Sequence, residues 1–216
     1  MRHPSTQAVY AYWNEVRGSR RAPRRLEIEP ARISDFLLDT FILERSGPAD
    51  FRFRLAGTRL SNSLGLQLRA RDFLTFWGGG DRALLGHHLE GIADLGRVGL
   101  FTGEAELSVP NPAFPAAPAP FELIVLPLIH TGQAIDRLLC HLVVLEPHRL
   151  LAGTTIARLR LLAAETVWPE SGVSDLDALA ERQAPLGPHV RTARIVRQGH
   201  RQFRVYDGGL GAAQGE

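Results

Sequence analysis

Residues 5 to 17, "STQAVYAYWNEVR", place Val9, Tyr12, Trp13 and Val16 at the spacing of one helical face, with Ser5 or Thr6 as the N-cap and Gly18 as the stop. A second, short helix is predicted over "PARISDFLL", where Pro30 opens the first turn and Ile33, Phe36 and Leu37 fall on one side. The pattern then changes period. "DTFILER" at 39–45 reads as a strand, "GPAD" as a turn, and "FRFRL" as its hairpin partner, with Phe51, Phe53 and Leu55 on one face and Arg52 and Arg54 on the other.

Thr58 is the predicted cap of a short helix through "RLSNSL", and further short helical turns follow in "LRARDFLTFW". After the glycine hinge Gly78, Gly79 and Gly80, Asp81 is the predicted N-cap of a longer helix whose apolar stripe is Leu84, Leu85, His88, Leu89 and Ile92. Three strands come next, around 99–109, 121–129 and 137–147, the first two separated by the linker "PNPAFPAAPAP". The last two are apolar at nearly every position, so both of their faces need a cover. The helix at 5–17 is one candidate for it, and a second subunit is the other.

Beyond residue 150, "ARLRLLAAETVW" reads as a helix, "SDLDALAERQAPLGP" as another short helix in a mobile region, and "QFRVYD" as a strand before a closing run of Gly and Ala expected to be disordered. There is no internal repeat.

Composition narrows the class. A chain of 216 residues suits one well-buried domain with attached segments, and no apolar run approaches a membrane span. The start lacks the apolar core of a secretory signal, and the single Cys140 cannot form an internal disulfide, so a cytoplasmic location is expected. The net charge of +2 is carried entirely by arginine on the basic side and argues only weakly for a nucleic-acid partner.

The order of two strands, several short helices, a longer helix and three antiparallel strands resembles a PAS domain. The stretch "AYWNEVRGSRRAPRRLEIEPARISDFLLDTFILE", followed by "FRFRLAGTRL", resembles the fifth class of PAS domain, found mostly in alphaproteobacteria. "GHRQFRVYDGG" resembles the ends of its members, so the likeness spans roughly residues 10–210. It departs after "AGTRL", where relatives tend to carry a cysteine and "LFG" and this chain reads "SNSLG".

The resemblance implies an α/β (α+β) fold: a five-stranded antiparallel PAS-like sheet with short helices on one face and an N-terminal flanking helix. Residues 1–34 would be the flank, 35–150 the core and 151–216 a partly mobile extension. It further implies a cytoplasmic sensory or regulatory protein, with some relatives regulating motility or cell-cycle progression. No catalytic residue set comes with it.

The candidate ligand pocket consists of Phe53, Leu55, Phe73, Trp77, Leu84 and His88. His88 sits on the element from which haem-binding PAS domains present an axial ligand, but nothing supplies a propionate signature, and a helix histidine at a core edge is the plainer reading. Cys140 lies in a late strand, outside any flavin-attacking motif, and reads as a buried structural thiol. In "RGSRRAPRR", Arg20, Arg21, Arg24 and Arg25 form a candidate anion site, with Arg20 and Arg24 at the four-residue spacing of a cyclic-dinucleotide clamp. The partner motif of such clamps is missing, which favours a solvated connector.

No G-x-S-x-G, H-E-x-x-H, Walker or C-x-x-C motif occurs, and no metal site is expected. The sequence names no cofactor. The expected activity is binding in signal transduction: a protein partner in trans, a homodimer, and a small-molecule ligand. Two rivals stay open, an adaptor whose pocket is filled by side chains and a second-messenger binder that uses the arginine cluster.

Overall fold

In the computed structural model, which describes residues 1–108, 117–147, 153–167, 192–198 and 201–207, helix α1 runs Pro4–Arg17. His3 caps it in place of Ser5 or Thr6, its Nδ1 accepting from the Ser5 amide at 3.2 Å. Gly18, at φ +60°, ends it as the sequence predicts. The second helix, Pro30–Asp39, is wound as a 3-10 helix and kinked at Ile33.

Strands β1 (Thr40–Gly47) and β2 (Asp50–Ala56) form the expected hairpin. Its tip is held by α3 (Gly79–Leu95), whose Glu90 carboxylate accepts from the Ala49 amide at 2.8 Å. One expectation fails inside β2. Ile42 pairs with Leu55 while the next residue, Leu43, pairs with Phe53, which leaves Arg54 as the extra residue of a β-bulge. The bulge moves Leu55 to the face opposite Phe51 and Phe53, where it is 55% exposed.

Helix α2 (Thr58–Leu64) is capped by Gly57, not Thr58. A side chain at Gly57 would place its Cβ 2.2 Å from the carbonyl oxygens of both Leu37 and Leu38, so only glycine permits this tight corner. The long helix likewise starts from Gly78. Asp81 lies in its first turn and accepts from the Leu161 amide at 3.0 Å. Its buried stripe is Leu85, Leu89 and Ile92, whereas Leu84, one position out of phase, is 48% exposed.

Strands β3 (Val98–Ser108), β4 (Ala119–Ile129), β5 (Ile135–Val144) and β6 (Thr155–Val167) complete an antiparallel sheet in the order β2-β1-β5-β4-β3-β6. The sixth strand corrects the expected helix at "ARLRLLAAETVW". Its Ala, Leu, Arg and Glu residues are good helix formers, but the open edge of β3 takes them up along its whole length. Register shifts at Thr102/Gly103 and Glu106/Leu107 break the two-residue alternation by which a strand is recognised in sequence.

Pro127 has no N–H to give a neighbour, yet it lies in the interior strand β4. Pairing with β3 stops at Val125, and the Ile129 amide is met instead by the Pro23 carbonyl at 3.0 Å, so Pro127 occupies the gap between the two neighbours.

Each face of the sheet carries its own core. Phe41, Phe53, Phe101, Phe121, Leu138 and Cys140 look toward α2, α3 and the 3-10 turn Phe73–Phe76. Ile42, Leu100, Ile124, Leu126, Leu128 and Leu139 look the other way, toward Val9, Tyr12 and Trp13 of α1 and Ile28 and Ile33 after it. The continuous apolar pattern of β4 and β5 thus has its cover from within the chain.

Residues 1–170 form one compact unit and 171–216 a second. In the second, β7 (Thr192–Gln198) pairs antiparallel with β8 (Arg201–Asp207). Strand β8 contains the expected "QFRVYD", and β7 was not foreseen. The helix expected at 174–188 and the closing Gly/Ala run lie outside the described residues.

Candidate functional site

Under the helices, the hairpin and the Phe73–Phe76 turn bring aromatic rings into mutual contact. Phe53 lies 5.3 Å from Phe41, 5.5 Å from Phe73 and 6.0 Å from Phe76, and Trp77 lies 5.7 Å from Phe73 and 5.9 Å from Phe121, between ring centroids. Most of these pairs are edge-to-face, the arrangement that aligns the ring quadrupoles favourably. Of the six candidate pocket residues, Phe53, Phe73 and Trp77 are therefore brought together as one buried aromatic cluster. The Trp77 indole N–H is 3% exposed at residue level and has no hydrogen-bond acceptor among the described residues.

The other three stand apart. Leu55 is on the opposite face and Leu84 points outward. His88 sits at the rim of the inner core, its ring 5.7 Å from Phe101 and 6.3 Å from His87. Burial lowers its pKa, and the neighbouring His87 lowers it further. Among the described residues no group of three or more His, Cys, Asp or Glu is placed to hold a metal. Cys140 is fully buried, and burial pushes its thiol pKa well up, as suits a structural thiol.

On the outer face, α1 is fastened to the sheet at three levels. At its start the buried Glu122 carboxylate accepts from the Arg2 amide at 2.7 Å and the His3 amide at 3.1 Å. Burial alone would raise the Glu122 pKa, but the Arg2 amide, the Thr6 side chain, the His3 amide and the N-terminal charge together outweigh it and the net shift is downward. One step along, His141 Nε2 lies 2.8 Å from Ser5 Oγ, and its Nδ1 lies 3.2 Å from Thr40 Oγ1. The Thr40 hydroxyl donates to the Phe36 carbonyl at 2.7 Å, which leaves its oxygen to accept from His141 Nδ1, while Ser5 Oγ lies between His141 Nε2 and His3 Nδ1, the latter 2.6 Å away. Burial, reinforced by His3, lowers the His141 pKa to about 4.

At the third level the Trp13 indole N–H donates to the Pro127 carbonyl at 2.9 Å, and the Arg17 guanidinium lies over the ring at 5.6 Å. The sequence pattern does not single out Glu122 or His141 as fasteners, because β4 and β5 are apolar at nearly all of their other positions. The signal was present: Glu122 and His141 are the polar interruptions in "FELIVLPLI" and "RLLCHLVVL".

The arginine cluster does not converge on one cavity. Arg20 pairs with Glu27 at 2.8 Å, Arg21 donates to the Asp94 carbonyl at 2.6 Å, and the Arg24 backbone amide donates to Glu27 at 2.6 Å. Arg25 instead lines two clefts on the outer side of the β1–β2 corner.

An antiparallel sheet ordered β2-β1-β5-β4-β3, with short helices and one long helix over a single face, defines a PAS-type module. The chain belongs to the PAS-domain family, whose profile matches residues 1–143 and so takes in α1 and all of β1 to β4, with β5 up to its last residue. PAS domains serve sensing and signal transduction and commonly mediate protein interaction, dimerisation and small-molecule binding. No curated protein matches the chain. No helix among the described residues is long and apolar enough to cross a membrane.

Proposed function

We propose that this PAS-domain protein is a cytoplasmic regulator that works by binding, above all to a protein partner, and has no catalysis of its own. The observation that supports the reading is the aromatic packing around Phe53, Phe73 and Trp77, whose buried rings lie against one another under the helices. Binding energy is then available chiefly on the surface. The absence of chemistry is supported by the Ser5–His141 pair. Thr40, not a carboxylate, stands behind Nδ1, so the imidazolium that a general base forms would have no counter-charge there.

A homodimer belongs to the same reading, as does a role in motility or cell-cycle control. A second reading, a small internal ligand, is favoured by one feature: a polar molecule beside the unpartnered Trp77 N–H would supply its missing acceptor. Native mass spectrometry of freshly purified protein separates the two and counts subunits. The polypeptide mass alone, as a dimer, is expected; a bound metabolite that survives in wild type and is lost in Trp77→Phe would move the function to the interior.

A further inference from the structure

The bulge at Arg54 has turned a leucine outward at the β2 edge of the sheet, away from β4 and β5 where α1 packs. Leu55 there meets Ile28, Ile33 and Leu37 around an apolar chamber of about 180 Å³. Next to it lies a second chamber of about 340 Å³, lined by Arg25, Leu26, Arg54, Arg69, His130 and Arg137 together with Ile42 and Leu55. Arg25, Ile42 and Leu55 belong to both, so the two clefts lie side by side across these side chains and make a two-part groove.

Its charge is one-sided, because no carboxylate lines either chamber. Arg137 is balanced by Glu44 at 2.8 Å and Asp136 at 3.3 Å, and Arg54 is only 4.0 Å from the same Glu44. The side chains of Arg25 and Arg69 have no ion-pair partner among the described residues. Between these cations, Leu26 is 85% exposed.

We propose that this groove docks an acidic amphipathic helix of a partner protein, leucine-like side chains entering the apolar chamber and carboxylates meeting Arg25, Arg54 and Arg69. The proposal rests on the reading that the domain acts by protein contact. The shape selects the occupant. A free inorganic anion would leave Leu26 and Leu55 in water, and a flat bilayer surface cannot fill recessed chambers. A strand cannot add along the middle of β2, where the Phe53 amide already donates to the Arg71 carbonyl at 2.9 Å and the Ala70 amide to the Phe53 carbonyl at 2.8 Å. Recognition by a helix laid in a groove is what the geometry leaves.

The test uses the full chain and a labelled 18-residue helical peptide with leucines at i, i+3, i+4 and i+7 and glutamates between them. Its twin carries glutamine at every glutamate. Fluorescence anisotropy should give micromolar binding for the acidic peptide that weakens with added salt, and binding weaker by about tenfold or more for the twin. The double variant Arg25→Gln, Arg69→Gln and, separately, Leu55→Ser should each lose a similar factor while keeping the wild-type melting curve. Equal affinity for wild type and the double variant overturns the proposal, as does no binding, or tighter binding to phosphatidylglycerol vesicles or inorganic pyrophosphate than to the peptide. None of these results touches the protein-contact reading, which falls on the trapped metabolite instead.

Discussion

Truncating Trp13 tests whether α1 is part of the folded domain or an ornament on it. Trp13 is fully buried against the outer face and makes one directed bond, from its indole N–H to the Pro127 carbonyl. Removing a buried tryptophan side chain costs about 3 to 5 kcal/mol through lost transfer energy and the cavity left behind. The stranded carbonyl adds about 1 to 3 kcal/mol, because β3 has already ended and cannot take it up. Trp13→Ala should therefore lose about 4 to 8 kcal/mol, a large share of the roughly 5 to 15 kcal/mol that holds a typical domain together. Trp13→Phe keeps most of the apolar volume and loses mainly the donor, so about 1 to 3 kcal/mol is expected, or roughly 3 to 10 °C in Tm for a domain of this size. Guanidinium titration with an unchanged slope would give both numbers. If Trp13→Ala unfolds within about 1 kcal/mol of wild type, α1 does not stabilise the sheet and the account of the outer core is wrong.

Two further substitutions read the bulge: Phe53→Ala should cost about 3 to 5 kcal/mol and Leu55→Ser less than about 1 kcal/mol, whereas equal losses would put both side chains on one face. Acid should weaken the fold through His141. Its folded pKa of about 4 lies below the unfolded value of 6.5, so between those limits the unfolded chain takes up the proton first and stability falls as pH falls. That window is worth about 3 kcal/mol, and His141→Gln should lose this part of the pH dependence; an identical profile for wild type and variant would show that His141 is not held neutral.

The hairpin, the long helix and the last two core strands were legible because their periods are regular and their turns carry Gly or Pro. The face of Leu55 was not, since a bulge adds one residue without altering the local composition, and "FRFRL" reads as unbroken alternation. Strand β6 was hidden for the opposite reason: its own preferences point to a helix, and only the unpaired edge of β3 decides otherwise. Within the candidate site, Phe53, Phe73 and Trp77 could be placed together from topology. Glu122 and His141 required knowing that α1 lies over them, a contact separated by more than 100 residues of chain.

Strands β4 and β5 stand as a party wall with a furnished room on each side. Neighbouring residues open onto different rooms: Cys140 faces the aromatic rings, and His141, one peptide bond away, holds Ser5 of α1. A rearrangement beneath the helices needs no long relay to be felt at the N-terminal helix. A backbone shift at Cys140 would displace the fastener at His141, so the shortest route between the two compartments is the thickness of a single strand.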